Sequence, residues 1–160
     1  MKHIQWKLLE ARPILGGRLV NDSKFNEIDL GGAWIWDSQP NINSLVTGLQ
    51  IETFRQPDDP SSTRIVGGAA AIVQKLASTI PNDSIQLSTP VVKCSLITSK
   101  EEGPYVELTT ANDSVVRARH VVFAAPPKLL SKHIQFDPPL NSQKQRAMEA
   151  SRTWMAGKYM

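Results

Sequence analysis

Six of the nine glycines stand in three doublets, Gly16-Gly17, Gly31-Gly32 and Gly67-Gly68. A doublet presents bare main chain that another backbone or a ligand can approach closely, because no Cβ stands in the way. Six residues before the first doublet, at the end of a stretch that begins by alternating apolar and polar residues, stands Glu10; Arg18 follows the doublet directly. A carboxylate at a strand end can accept hydrogen bonds from ribose hydroxyls, and bare main chain followed by a guanidinium fork suits a pyrophosphate. Together these residues could hold a dinucleotide. Taken singly, each also has a structural reading: a doublet as a turn or helix start, Glu10 as a surface charge, Arg18 as a hairpin residue.

Other chemistries find little support. His3, His120 and His133 share no metal-ligand spacing and have no Asp or Ser partner at a motif distance, so no metal site is assigned. The single cysteine, Cys94, excludes an intrachain disulfide and reads as a small hydrophobe in a strand. No GxSxG, HExxH or P-loop occurs. The net charge is only +3, with 8 basic and 8 acidic residues in 1–80 and 10 and 7 in 81–160. Without a Lys/Arg run, nucleic acid is not expected as a partner. No apolar run approaches the roughly 20 residues that span a bilayer, and the first residues carry charges inside their apolar stretch, unlike a secretory leader. The compartment stays open, with the cytoplasm as the default.

The elements that must position these residues can be read from periodicity. The segment Ile4–Leu8 alternates as a strand, and Arg18–Val20 and Phe25–Leu30 flank a polar turn as in a hairpin. Ile42, Leu45, Val46 and Leu49 repeat at helical spacing, with Gln50 at the helix end where glycine is usual. Ile51–Phe54 reads as a strand and the Pro-, Asp- and Ser-rich stretch Gln56–Ser62 as a loop. Gly67-Gly68 opens a second helix with Ala69, Ile72, Val73, Leu76 and Ile80 as its apolar stripe. Short β segments follow at Ile85–Leu87, Val91–Thr98, Tyr105–Thr110 and Val115–Ala125, the pattern of an antiparallel meander. A short helix or turn after Pro126-Pro127 and a helix over Ser142–Ala150 complete the chain. Trp6, Trp36 and Trp154 read as core or packing residues.

In order, Leu8-Leu9-Glu10-Ala11-Arg12, Gly16-Gly17-Arg18 and Asp29-Leu30-Gly31-Gly32-Ala33-Trp34 resemble the flavin-containing amine oxidases, the monoamine, polyamine and L-amino-acid oxidases. The resemblance continues through Arg64-Ile65-Val66-Gly67-Gly68, Thr89-Pro90-Val91-Val92, Val121–Pro127 and Ile134–Leu140. It implies a mixed α+β (α/β) fold: a partial FAD-binding Rossmann-like sheet, an antiparallel β-meander and part of a substrate domain. The implied boundaries are a partial FAD-binding region at 1–62, helix plus meander at 63–130 and the start of the substrate domain at 131–160. FAD is the implied cofactor and a small-molecule amine the implied substrate, oxidised at its C–N bond to an imine with dioxygen as acceptor. By the same resemblance Glu10 binds the adenosine ribose and Arg12 lies beside the adenosine. Gly16, Gly17 and Arg18 line the pyrophosphate and ribityl chain, and Gly31, Gly32, Ala33 and Trp34 lie against the flavin. Val91 offers its main chain to adenine.

The chain departs from that pattern. Only nine residues precede Glu10 and none is glycine, so the phosphate-binding GxGxxG expected about 20 residues earlier is missing. The family's C-terminal flavin-binding segment, its flavin-side lysine, its aromatic pair and any flavin-linking cysteine are also missing, so no catalytic residue is assigned. Gly157 and Lys158 are adjacent where a spacer is expected. Both ends read as cuts through structure, and the expectation is a fragment that is inactive alone. Two other readings remain open: a non-catalytic binding domain on a flavoprotein scaffold, and a fragment of a desaturase or protoporphyrinogen-oxidase-like flavoenzyme. Oligomeric state is not legible.

Overall fold

A computed structural model of the chain describes residues 4–22, 24 and 28–152. The expectations at His3, at Phe25, at Trp154 and at Gly157-Lys158 fall outside these residues. Two compact units divide the chain: Met1–Leu8 with Pro13–Gln86, and Leu9–Arg12 with Leu87–Met160.

The first unit is built on a three-stranded antiparallel sheet of β2 (Ile35–Trp36), β4 (Asp59–Ile65) and β3 (Thr53–Gln56), with β4 central. Its core is formed by Ile35, Val46, Ile65, Ala69 and Ile72, with Leu19, Ile42, Leu49, Ile51 and Ala71 packed against them. Six of these come from the sheet, from α1 (Pro40–Gly48) and from α2 (Ala70–Ser78), and Leu19, Leu49, Ile51 and Ala69 from the connecting chain. The predicted stripes supply Ile42, Val46, Leu49, Ala69 and Ile72, although Leu45 and Leu76 at the stripe margins are exposed. The stretch 56–62 is not the loop its composition suggests: Pro57-Asp58 makes the turn and β4 begins at Asp59. Ser62 is buried in β4, its hydroxyl donating to the Asp59 carbonyl at 3.1 Å, so a polar strand residue is satisfied inside the sheet.

The end of α1 explains Gln50. The Ile51 N–H donates to the Val46 carbonyl at 3.1 Å and the Gln50 N–H to the Thr47 carbonyl at 3.0 Å, with Gln50 at φ 54°. This is the Schellman arrangement, completed by Ile51 and Val46 meeting in the core, and it places a side chain where glycine is least strained. Gln50→Gly is expected to stabilise the chain by about 1 kcal/mol. A urea midpoint that does not rise would contradict this account of the cap.

The second unit carries a four-stranded sheet in the order β8 (Val115–Ala118), β7 (Gly103–Thr110), β6 (Val91–Ser99), β9 (Gln135–Asp137). The antiparallel meander β6-β7-β8 is as the alternation predicts. Two features differ. The last strand ends at Ala118, where its pairing with Val106 ends, so residues 119–125 are not strand despite their apolar run. The three-residue β9 adds in parallel to β6, with Cys94 opposite Phe136, and Phe136 meets Phe123 edge-on at 5.7 Å. Cys94 is half-buried, which pushes its thiol pKa above the ordinary value and keeps it protonated at neutral pH. Helices α3 (Pro127–His133) and α4 (Ser142–Ala150) follow, α4 capped by the Asn141 side chain accepting from the Lys144 N–H at 2.8 Å. Two short strands, β1 (Leu8–Leu9) and β5 (Ile85–Gln86), pair with each other. Trp6 and Trp36 are exposed, contrary to their reading as core residues; Trp36 sits in a two-residue strand whose other member, Ile35, takes the buried side. Among the described residues no helix is long and apolar enough to cross a membrane.

Candidate cofactor-binding site

Seven of the ten predicted cofactor residues belong to the first unit: Gly16, Gly17, Arg18, Gly31, Gly32, Ala33 and Trp34. They are brought together by an antiparallel pairing of residues 20–22 with 28–30. The Asp22 N–H donates to the Ile28 carbonyl and the Leu30 N–H to the Val20 carbonyl, both at 2.8 Å, around a bridge between Asn21 and Asp29. This pairing sets Gly31 and Gly32 against Arg18–Val20, the stretch that follows the first doublet.

The doublets have different physical reasons to be glycine. Gly16 and Gly17 lie at φ 121° and 57°, and the Leu19 N–H closes the turn onto the Gly16 carbonyl at 2.9 Å. A Cβ on Gly16 would stand 2.7 Å from the Leu19 carbonyl oxygen, whereas one on Gly17 would meet nothing within 4 Å. Gly17 is therefore the member at which a side chain would enter open space. At Gly31 a Cβ would overlap the Arg18 carbonyl, so the approach of the two segments itself demands glycine there. Gly32 is less constrained, with Leu19 Cδ2 at 3.3 Å from a Cβ. Beyond it Ala33 is buried, and Trp34 is partly exposed with its indole N–H donating to Gln56 Oε1 at 2.6 Å. Trp34 also borders an open depression of about 470 Å³ shared with Gln39, Pro40 and Asn41.

The other three predicted residues, Glu10, Arg12 and Val91, belong to the second unit. The Thr89 N–H donates to the Glu10 carbonyl and the Ser88 N–H to the Arg12 carbonyl, each at 2.9 Å, which ties Glu10 and Arg12 to the segment leading into Val91. Glu10 Oε1 accepts the Arg12 N–H at 2.8 Å and lies 3.7 Å from Arg12 Nε. The ladder between β6 and β7 is interrupted by a bulge between Val91 and Lys93.

The sequence reading missed the polar groups that hold the first unit's segments. Asp29 is 1% exposed; its Oδ1 accepts the Ala69 N–H at 2.6 Å and its Oδ2 accepts from Arg64 at 3.3 Å. A carboxylate next to a glycine doublet was the available signal, but its partners lie 35 and 40 residues away. Among the described residues no group of three or more His, Cys, Asp or Glu is placed to hold a metal.

The family model for flavin containing amine oxidoreductases matches residues 59–158, more than half of the chain. The chain belongs to this family. Putrescine oxidase of Kocuria rosea is 37% identical over 82 residues, covering 48% of this chain and 17% of that protein. The fold matches putrescine oxidase with putrescine bound at a TM-score of 0.73, with 16% identity over 89% of this chain and 57% of that one. Cyclohexylamine oxidase from Brevibacterium oxydans IH-35A matches at a TM-score of 0.72, with 15% identity over 88% and 56%. The chain therefore spans little more than half the length of the amine oxidase structures it matches. Membership of the family makes FAD the cofactor and selects the flavoprotein readings of the sequence. The residues of the first unit fit such a group on one structural count: open space stands where a Cβ of Gly17 would be, beside an exposed Arg18.

Proposed function

We propose that this chain is the FAD-holding part of an amine oxidase acting on a small amine, the class to which putrescine and cyclohexylamine belong. When bound, FAD supplies the redox chemistry, taking a hydride equivalent from the carbon next to the amine nitrogen, with dioxygen as final acceptor. The chain's own residues bind and orient. Glu10 accepts hydrogen bonds from the adenosine ribose hydroxyls, with Arg12 beside the adenosine. Gly16, Gly17 and Arg18 receive the pyrophosphate and ribityl chain, Arg18 with a charged fork and Gly17 by leaving room where a side chain would stand. Gly31, Gly32, Ala33 and Trp34 face the flavin ring, and Val91 offers main-chain groups to adenine.

The observation that carries this reading is the pairing of residues 20–22 with 28–30, which sets the Gly16-Gly17-Arg18 turn beside the Gly31-Gly32 segment. The hydrogen bonds from Ser88 and Thr89 to Arg12 and Glu10 support the second half of it. The bulge at Val91–Lys93 does so too, since it breaks the ladder where main-chain groups are to serve a ligand.

No GxGxxG occurs among the 160 residues, so this polypeptide on its own lacks a helix N-terminus for the pyrophosphate. It is expected to bind FAD with a dissociation constant weaker than about 10 μM and to leave amines unoxidised. Titration followed by flavin fluorescence tests this. Sub-micromolar binding, or peroxide formed from putrescine, would overturn the claim that the 160 residues are insufficient.

A further inference from the structure

The third glycine doublet has no place in the cofactor reading, and its surroundings give it one. Asn21 and Asp29 face each other across the isolated bridge, and both side chains reach the same stretch of chain leading into α2. Asp29 Oδ1 accepts the Ala69 N–H at 2.6 Å. Asn21 Nδ2 donates to the Gly67 carbonyl at 2.8 Å, and Asn21 Oδ1 accepts the Ala70 N–H at 3.4 Å. Gly68 lies directly under the Asn21 amide, and a Cβ there would overlap it. Asp29 Oδ2 holds Arg64 of β4 at 3.3 Å as well.

The residues so anchored stand next to the two segments assigned to FAD: Asn21 is three residues after Arg18, and Asp29 is two before Gly31. Among the described residues their own pairing is one bridge flanked by two hydrogen bonds, and a short two-stranded pairing has marginal stability. We infer that Asn21 and Asp29 are positioning residues, a two-pronged clamp on the Gly67–Ala70 turn that fixes the spacing between the Gly16–Arg18 turn and the Gly31–Trp34 segment. The inference rests on the reading that these two segments face FAD. A ligand bound largely by main chain gains affinity when that main chain is ordered beforehand, since the ordering cost is not then drawn from binding. The Gly67-Gly68 doublet is the receiving half of the clamp.

Asn21→Ala and Asp29→Asn in the full chain test it by amide exchange and by FAD-induced shifts in proton–nitrogen spectra. The Leu19 and Leu30 amides are expected to exchange about tenfold faster, while those of β6 and β7 stay within about twofold of their original rates. FAD-induced shifts at Gly16–Arg18 and Gly31–Trp34 are expected to shrink, with those at Glu10 and Val91 retained. Asn21 is only half-buried, so Asn21→Ala carries the test if Asp29→Asn fails to fold. Unchanged exchange at Leu19 and Leu30, or loosening spread equally over β6 and β7, would overturn the clamp. If the unaltered chain shows no FAD-induced shift on either segment, the cofactor reading fails, and the exchange result still judges the clamp.

Discussion

Gly31→Ala is expected to destabilise the first unit by about 3 kcal/mol, whereas Gly17→Ala costs about 1 kcal/mol. Both are glycines in doublets, and the difference lies in what a methyl group meets. At Gly31 it runs into the Arg18 carbonyl, whose carbon would lie 2.9 Å from the new Cβ. Main chain cannot rotate away as a side chain can, so the two segments must separate, straining the Leu30–Val20 hydrogen bond and shifting Leu19, which packs on the core. At Gly17 the methyl group enters open space and only the φ of 57° is penalised. Urea unfolding followed by tryptophan fluorescence reads both. Equal costs would contradict the close approach of Arg18 and Gly31.

Asp29→Ala is expected to cost about 3 kcal/mol as well, through a different mechanism. The substitution takes the acceptor from the Ala69 N–H and leaves Arg64 facing a buried site without its carboxylate. Arg64 is partly exposed, so water recovers some of the loss and the effect stays at the lower end for a broken buried pair. The mechanism separates from simple loss of packing in a double-mutant cycle with Arg64→Met. If the ion pair is responsible, the two substitutions together cost at least about 1 kcal/mol less than their sum. Additive costs would show that the Asp29–Arg64 ion pair is not responsible.

These two residues also mark how far the sequence could be read. Local signals were legible: the stripe of α1, the glycine-like position at Gln50 and the β6-β7-β8 alternation all depend on neighbours within a few residues. Motif order was legible too, and it carried the family before any geometry was known. What stayed hidden depends on distant partners. The stretch 56–62 has loop composition, yet beyond the Pro57-Asp58 turn it becomes strand, because β3 and β2 pair on the two sides of β4, and β-propensity yields to such context. The apolar run 115–125 stops being strand at Ala118, opposite Val106, although β7 extends back to Gly103, and no local signal marks that end. For Asp29 and Asn21, nothing in the neighbouring residues announces a turn some 40 to 50 residues away. The sequence reading placed Gly31 against the flavin, where a Cβ would clash; the structure supplies a second reason for glycine there, the passing Arg18 carbonyl, which no spacing rule contains.

The central claim is that the main chain at Gly16–Arg18 and Gly31–Trp34, with the Glu10 carboxylate and Val91, receives FAD. Proton–nitrogen correlation spectra of the isotope-labelled chain during titration with millimolar FAD test it most directly, because they register weak binding residue by residue. The account predicts graded shifts at Glu10, Gly16, Gly17, Arg18, Gly31, Gly32, Ala33, Trp34 and Val91. Shifts that gather elsewhere, with these amides unmoved at saturating flavin, would contradict it.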